Sequence, residues 1–511
     1  MTTTSDDTTS TIPSSEFVPP GPGQWMLDTT HHGRRPTTRF MRPITDRASD
    51  GFETLTARFG LPLETMEFAT VHGYTYARPK AIGDNGKGGA PPPTAIMWLV
   101  ARLHPELRRR NRTAREAWAE RRWRADVDAW FERGGRDGVL SENLRLQSFD
   151  PAAAGDDALA THIEEVSAYL AEQFVLGFET HGGDIVPCGD YLAHCARWGI
   201  TADDATSLLS GSSPLTVETR DLLAPAARSH ASTSDTNTAP GSIAELRSRS
   251  PEAATAIDRW LELHGWRLLN SDDVDCPTLH EQPDLQWRIV AALDPDVLDP
   301  ETHALAPDPA VLRARVPADQ RALFDELLTE ARYGLRLRDD NVGLRLNWPA
   351  GIARRALLEI GRRLEQRGAL ADGAHVIHCD GPELAALLRG ERGPSIDQIR
   401  ERDAERTFQL SLDPPTWLGD EEPPPPLDAF PKPMARATRA VMAMIDAMQG
   451  ESSPSDGRLV GHGIGDTAYR GRAVVIAGPD DDFDAIEDGD VLIAPFTSPS
   501  FNSVFPLLGA V

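Results

Sequence analysis

Four cysteines in 511 residues, Cys188, Cys195, Cys276 and Cys379, with no CxxC pair among them, leave nothing from which to build a disulfide framework or a structural zinc site. Cys188 and Cys195 with His181 and His194 fit no common zinc spacing and read as ordinary buried residues, so no metal ligands are assigned. Long apolar runs are missing too. No stretch approaches the roughly 18–20 uncharged apolar residues of a membrane helix. The N-terminus MTTTSDDTTSTIPSSE has neither the basic start nor the apolar run of a signal peptide. Both absences point to a cytoplasmic protein with no membrane partner. Positive charge is in deficit: 52 Lys+Arg against 78 Asp+Glu give a formal charge of -26, which repels a polyanion over most of the surface and argues against nucleic acid as a partner. There is no Walker P-loop, because Gly86-Lys87-Gly88-Gly89 lacks the preceding strand and the Lys-Ser/Thr pair, and there is no internal repeat.

What is present is enough apolar residue, 40% of the chain, for several cores, and the patterning predicts an α+β multi-domain protein dominated by helices. The Thr/Ser/Asp-rich start predicts a disordered tail over 1–20. A mixed and then helical region follows over 21–222, interrupted by the Gly/Pro-rich GDNGKGGAPPP at 83–93. LLAPAARSHASTSDTNTAPGS, small and polar with two prolines, predicts a flexible linker over 223–242. A second helical region runs over 243–420. The stretch 421–457 joins a proline-rich connector, one helix and a Ser/Pro/Gly linker, and 458–511 reads as a compact β-rich unit.

Within this frame the periodicity is specific. Ile163, Val166, Leu170, Phe174 and Phe178 share one helical face, as do Ala353, Ala356, Leu357, Ile360, Gly361 and Leu364. In the helix after the proline-rich connector, Ala437, Val441, Met444, Ile445 and Met448 are expected to face inward. Arg472-Ala-Val-Val-Ile and Asp490-Val-Leu-Ile-Ala read as short strands. Between Arg108 and Arg124 the interleaved Trp118 and Trp123 are expected to face a core while the arginines are solvated. The pairs Asp272/Asp273 and Asp339/Asp340 read as turn and cap residues.

From Leu459 the run LVGHGIGDTAYRGRAVVIAGPDDDFDAIEDGDVLIAPFTSPSFNSVFPLLGAV resembles the first half of the phosphohistidine swivelling domain of the PEP-utilising enzymes. A glycine-punctuated loop, Gly461 to Gly471, opens into a strand, and an acidic turn leads to Gly489-Asp490-Val491-Leu492-Ile493-Ala494, similar to that family's "GDVLVA" strand. Upstream, Trp260-Leu261-Glu262-Leu263-His264-Gly265-Trp266-Arg267 with Cys276-Pro277-Thr278-Leu279-His280-Glu281-Gln282-Pro283 resembles the "YGHR…PRWxExP" block of the rifampin phosphotransferase branch. Glu359-Ile360-Gly361-Arg362-Arg363-Leu364 and Pro382-Glu383-Leu384 are similar to its "ELGRRL…DEL" block.

The resemblance implies a phosphotransferase component in which the swivelling domain relays a phosphoryl group on a histidine to an organic acceptor. It implies ATP or PEP with magnesium for the complete system and no cofactor held by this chain alone. No ATP-grasp region precedes residue 25, so nucleotide is expected on a separate ATP-grasp protein or domain. In that family the carrier histidine follows the segment that ends here at Val511, and the chain reads as cut ahead of it and inactive alone. His264, Arg267 and His280 are the implied acceptor contacts, and Gly463, Asp466, Thr467 and Thr497 the implied swivelling-loop residues. His462 reads as a solvated loop residue. The alternative is a non-catalytic small-molecule-binding or regulatory protein that retains the helical pocket.

Overall fold

A computed structural model describes residues 15–29, 34–84, 93–234, 241–269, 273–293, 308–423, 426–449, 468–476, 483–494, 501 and 504–511. It is an α+β arrangement, a large helical body carrying two small sheets. No helix among the described residues is long and apolar enough to cross a membrane.

The first sheet is antiparallel with strand order β2-β3-β1-β4, where β1 is Trp25–Leu27, β2 Leu63–Val71, β3 Tyr74–Ala81 and β4 Trp417–Leu418. The turn joining β2 to β3 places both His72 (φ 49°) and Gly73 (φ 80°) in the left-handed region, as a two-residue hairpin turn requires. Helix α1 (Ala48–Phe59) packs against β2. Tyr74 and Tyr76 are buried and donate their hydroxyls to the carbonyls of Gln409 and Pro415, both at 2.9 Å, so the strand brings in bulky rings without leaving their polar ends unpaired.

The body is built of helices that bury one stripe each. Those that frame the site are α2 (Thr94–Leu103), α3 (Pro105–Glu120), α4 (Arg122–Phe131), α5 (Gly135–Gln147), α6 (Asp156–Thr180), α7 (Gly182–Arg197), α8 (Leu215–Ser234), α9 (Pro251–His264), α10 (Arg321–Leu335), α11 (Arg338–Val342), α12 (Trp348–Gln366), α13 (Ile396–Leu410) and α14 (Lys432–Gln449). Along α6 the expected residues Ile163, Val166, Leu170, Phe174 and Phe178 are all buried, and along α12 so are Ala353, Ala356, Leu357, Ile360 and Leu364. Glycine lets helices touch backbone to backbone. A Cβ on Gly189 of α7 would stand 1.8 Å from the Ala440 carbonyl of α14, and one on Gly334 of α10 would stand 2.5 Å from the Gly183 carbonyl of α7.

The second sheet, β5 (Ala473–Val475), β6 (Asp490–Ile493) and β7 (Leu508–Ala510), is parallel and in sequence order, with Val474 opposite Leu492. One face, with Val474, Leu492 and the adjoining Ile476, packs in a shared core with Leu285, Ile289 and Val290 of the helix Pro283–Ala292. Arg288 adds a hydrogen bond to the Ile486 carbonyl at 2.7 Å. On the opposite face Val475 and Ile493 are exposed.

Three expectations need correction. Composition predicts a flexible linker from 223, but 223–234 belong to α8, because Leu223, Ala226 and Ala227 are buried and burial of that face offsets the interior Pro225. Phe17 falls in the expected tail, yet its ring packs on His72 at 5.0 Å. On α14 Ala437 and Met444 face inward as expected, whereas Ile445 and Met448 are exposed, since α7 covers only one stripe of that helix.

Candidate functional site

The site grows from a break in helical regularity. α11 and α12 form one continuous path joined by a π-helical segment, Gly343–Asn347, and such segments insert an extra residue and re-aim side chains. All five of its residues are buried. Asn143 of α5 donates to the Leu344 carbonyl at 2.8 Å, anchoring the segment. A Cβ on Gly351 would meet the Trp266 carbonyl at 1.6 Å, so α12 lies directly on the loop that follows His264.

Around this segment the chain gathers charge in the interior. Asp340, fully buried, accepts from Trp130 Nε1 at 2.8 Å and from Arg136 Nε at 2.9 Å. Arg136 continues to Glu218 at 3.1 Å, and Glu218 in turn stands 3.3 Å from His264 Nε2 and 3.8 Å from Arg267. Arg345 donates to Gln173 at 2.6 Å and its guanidinium lies 4.4 Å from the Trp130 ring centroid, while that of Arg267 lies 5.5 Å from the ring of Trp348. Helix α9 delivers His264 to this array. Ser250 caps it by accepting from Ala253 N, and Pro251 opens it.

Burial decides the protonation states. Removal from water, helped by the neighbouring Arg267, lowers His264 to about 4 and leaves it neutral near pH 7. Burial also lowers Arg267, to about 10, so it stays charged. For Glu218 burial pushes upward, but His264, Arg267 and Arg136 outweigh it and hold the carboxyl at about 2.

A second group of ion pairs, which shares only α4 with the first, opens to solvent as a cleft of about 280 Å³ between α3, α4, α7, α10 and α14. Glu330 accepts from Trp123 Nε1 at 2.8 Å, from Arg124 at 2.8 Å and from Arg121 at 2.7 Å. Asp190 accepts from Trp118 Nε1 at 3.1 Å and from Arg436 Nη2 at 2.6 Å. Arg121 sits at φ 48°, an uncommon conformation for a residue with a Cβ, at the corner where α3 turns into α4.

Of the expected acceptor contacts, the structure brings His264 and Arg267 together through Glu218. His280 lies against the same loop, its backbone N–H donating to the Gly265 carbonyl at 2.8 Å, but its ring is 4.4 Å from that of Trp266, with Arg355 over the same indole, and it has no contact with Glu218 among the described residues. Gly463, Asp466, Thr467 and Thr497, with His462, lie outside the described residues. Two further expectations are refined. Asp273 does open a turn, its carbonyl accepting from Cys276 N at 3.1 Å, and Asp340 does lie in the first turn of α11, but neither side chain serves as a cap: Asp273 accepts from Thr38 N at 2.7 Å and Thr38 Oγ1 at 2.6 Å, and Asp340 holds Trp130 and Arg136. Nor are all the arginines of 108–124 simply solvated, since Arg110, Arg121 and Arg124 bind Glu106 or Glu330. The tryptophans face inward as expected, Trp123 buried and Trp118 partly so. Sequence reasoning missed Glu218, Arg136 and Arg345, because no spacing rule links residues brought together from three separate helical segments.

No family model matches the chain. Two curated proteins do. Rifampicin phosphotransferase of a Streptomyces sp is 27% identical over 276 residues, covering 50% of this chain and 28% of the relative. Rifampicin phosphotransferase of Streptomyces sviceus is 27% identical over 278 residues with the same shares. The chain therefore matches little more than a quarter of the length of these relatives and is related to phosphotransferases at modest identity.

Proposed function

We propose that this chain supplies the acceptor-binding helical body of a phosphotransferase, with a swivelling domain that relays a phosphoryl group on a histidine to an organic acceptor. The observation that carries this reading is the likeness, over half the chain, to two proteins named Rifampicin phosphotransferase. The parallel β5-β6-β7 sheet supports it, since its strands fall on the segments that resemble the start of a swivelling domain.

The chemistry explains why such a body needs a carrier. In the first half-reaction an imidazole nitrogen forms a bond to phosphorus as the donor's P–O bond breaks, and ATP or PEP leaves as the dephosphorylated product. In the second an acceptor hydroxyl oxygen bonds phosphorus as the N–P bond breaks, and the hydroxyl proton passes to a base. Histidine suits both steps, being a nucleophile near neutral pH and a good leaving group. Tethering the carrier keeps its effective concentration high at two separated sites. His264 is too deeply buried for that task. In this reading the carrier follows β7 in the gene product, nucleotide and magnesium belong to a separate ATP-grasp protein or domain, and His264 and Arg267 position the acceptor pocket from inside.

The test is phosphoryl transfer by the complete gene product, supplied with its ATP-grasp partner where that is encoded separately. Radiolabelled ATP or PEP is expected to leave an acid-labile, base-stable label on it, discharged by rifampicin as trial acceptor. Absence of label with both donors overturns the reading.

A further inference from the structure

We propose that the cleft beside Trp118 binds a planar aromatic anion, an arene bearing a carboxylate or an acidic phenol. This inference stands whether or not the chain takes part in phosphoryl transfer. Its first support is shape. The rings of Trp118 and Trp123 meet nearly at right angles, 74° with centroids 5.8 Å apart, and line the cleft as a corner together with the apolar Pro187, Leu323 and Leu327. A volume of about 280 Å³ is at the lower end for small-molecule pockets and suits a bicyclic ring system.

The second support is the balance of hydrogen-bonding capacity. Both buried carboxylates already hold an indole and guanidinium donors. Asp190 takes the Trp118 indole and two guanidinium nitrogens of Arg436, with Nε at 3.0 Å and Nη2 at 2.6 Å. Glu330 takes the Trp123 indole, the fork of Arg124 and Nη1 of Arg121. The carboxylates in the depth of the cleft are thus already matched by guanidinium charge.

Donors do remain. Arg436 is 40% exposed and Arg121 42% exposed, and neither Nη1 of the former nor Nε of the latter has a hydrogen-bond partner among the described residues. Arg436 also lies 5.4 Å from the Trp118 ring centroid, so an arene resting on that corner has a guanidinium at its edge. The competitor for these donors is Glu326 at the rim, half-exposed and 2.5 Å from Arg121 Nη2. An aromatic carboxylate therefore meets π surface, apolar lining and unused N–H groups at once.

Calorimetric titration of the full chain with naphthoate tests this. Saturable one-to-one binding is expected, with naphthylmethylammonium at least roughly tenfold weaker. Glu326→Gln, an exposed rim change that leaves the fold intact, is expected to tighten naphthoate by about two- to fivefold because it releases Arg121. Arg436→Lys is expected to weaken it by about five- to tenfold, since an ammonium cannot hold Asp190 and the ligand as a fork does. The proposal is overturned if naphthoate does not saturate, if the ammonium compound binds as well or better, or if both substitutions leave the affinity unchanged.

Discussion

The indole of Trp130 donates to Asp340 at 2.8 Å, and seven residues earlier on the same helix Trp123 donates to Glu330 at the same distance. Each carboxylate also holds an arginine, Arg136 in the first case and Arg124 in the second. Seven residues are close to two helical turns, so α4 presents two indole–carboxylate–arginine groups along one face. The two differ in environment: the Asp340 carboxylate is fully buried and lies by the π-helical segment, whereas Arg124 and Arg121 connect Glu330 to the open cleft.

That difference predicts unequal responses to the same substitution. Trp130→Phe removes a donor from a carboxylate with no access to water and is expected to cost about 3 kcal/mol, at the upper end for an unsatisfied buried group. Trp123→Phe leaves Glu330 with Arg124 and Arg121 and is expected to cost about 1–2 kcal/mol including the lost ring area. Urea denaturation of both variants checks the order. Equal losses would mean that the indole N–H groups matter less than the packing of the rings.

Gly351 predicts a backbone clash. Gly351→Ala places a methyl 1.6 Å from the Trp266 carbonyl, so α12 or the loop after His264 must move, and a loss of about 3 kcal/mol or more is expected. Gly138 is its control, a helical glycine whose added Cβ meets nothing within 4 Å. Gly138→Ala is expected to stabilise by about 0.5–1 kcal/mol through helix propensity and a less flexible unfolded chain. Thermal midpoints moving in opposite directions would confirm the pair.

Asp126 gives a pH dependence with an unusual sign. Burial raises its carboxyl from 3.8 to about 6, and the neighbouring Arg58 only partly opposes the shift. A folded pKa above the unfolded one means that the native state binds the proton more tightly, so stability is present below pH 3.8 and falls as pH rises through about 6. Asp126→Asn is therefore expected to stabilise at pH 8, by no more than roughly 3 kcal/mol, and to be neutral near pH 4. Denaturation curves at the two pH values decide it, and a uniform destabilisation would contradict it.

The helices were legible where their own residues carry the signal. The buried stripes of α6 and α12 follow from the spacing of their apolar residues, and the strands at 473–475 and 490–493 from β-branched runs between turn residues. α8 was hidden because Pro225 and a Ser/Thr-rich end lower local helix propensity, and what holds that helix is its packing on α9. The site was half legible. His264 and Arg267, one turn apart, stood out as a pair, but their partner Glu218 lies 46 positions upstream, and no local pattern in the sequence encodes that contact. Asp340 misled for the same reason: a doubled aspartate near a helix start looks like a cap until Trp130 and Arg136 arrive from other helices.

His264 supplies the clearest acid-side prediction. Its folded pKa, near 4, lies below the ordinary 6.5, so the native state disfavours the imidazolium. The sign follows directly: the contribution is fully present above pH 6.5 and is lost as pH falls toward 4, where the unfolded chain takes up the proton first. A difference of this size corresponds to roughly 3 kcal/mol. His264→Gln removes the titration while keeping a polar side chain beside Glu218, so its stability is expected to be lower than that of the parent at pH 7.5 and to fall less between pH 7 and pH 4.5. The residual acid loss in the variant belongs to other buried histidines such as His162 and His378, which burial also lowers to about 4. Paired urea titrations across that pH range provide the check. Parallel curves for the two proteins would mean that protonation of His264 is not coupled to unfolding, and that the Glu218 carboxylate accommodates an imidazolium inside the helical body.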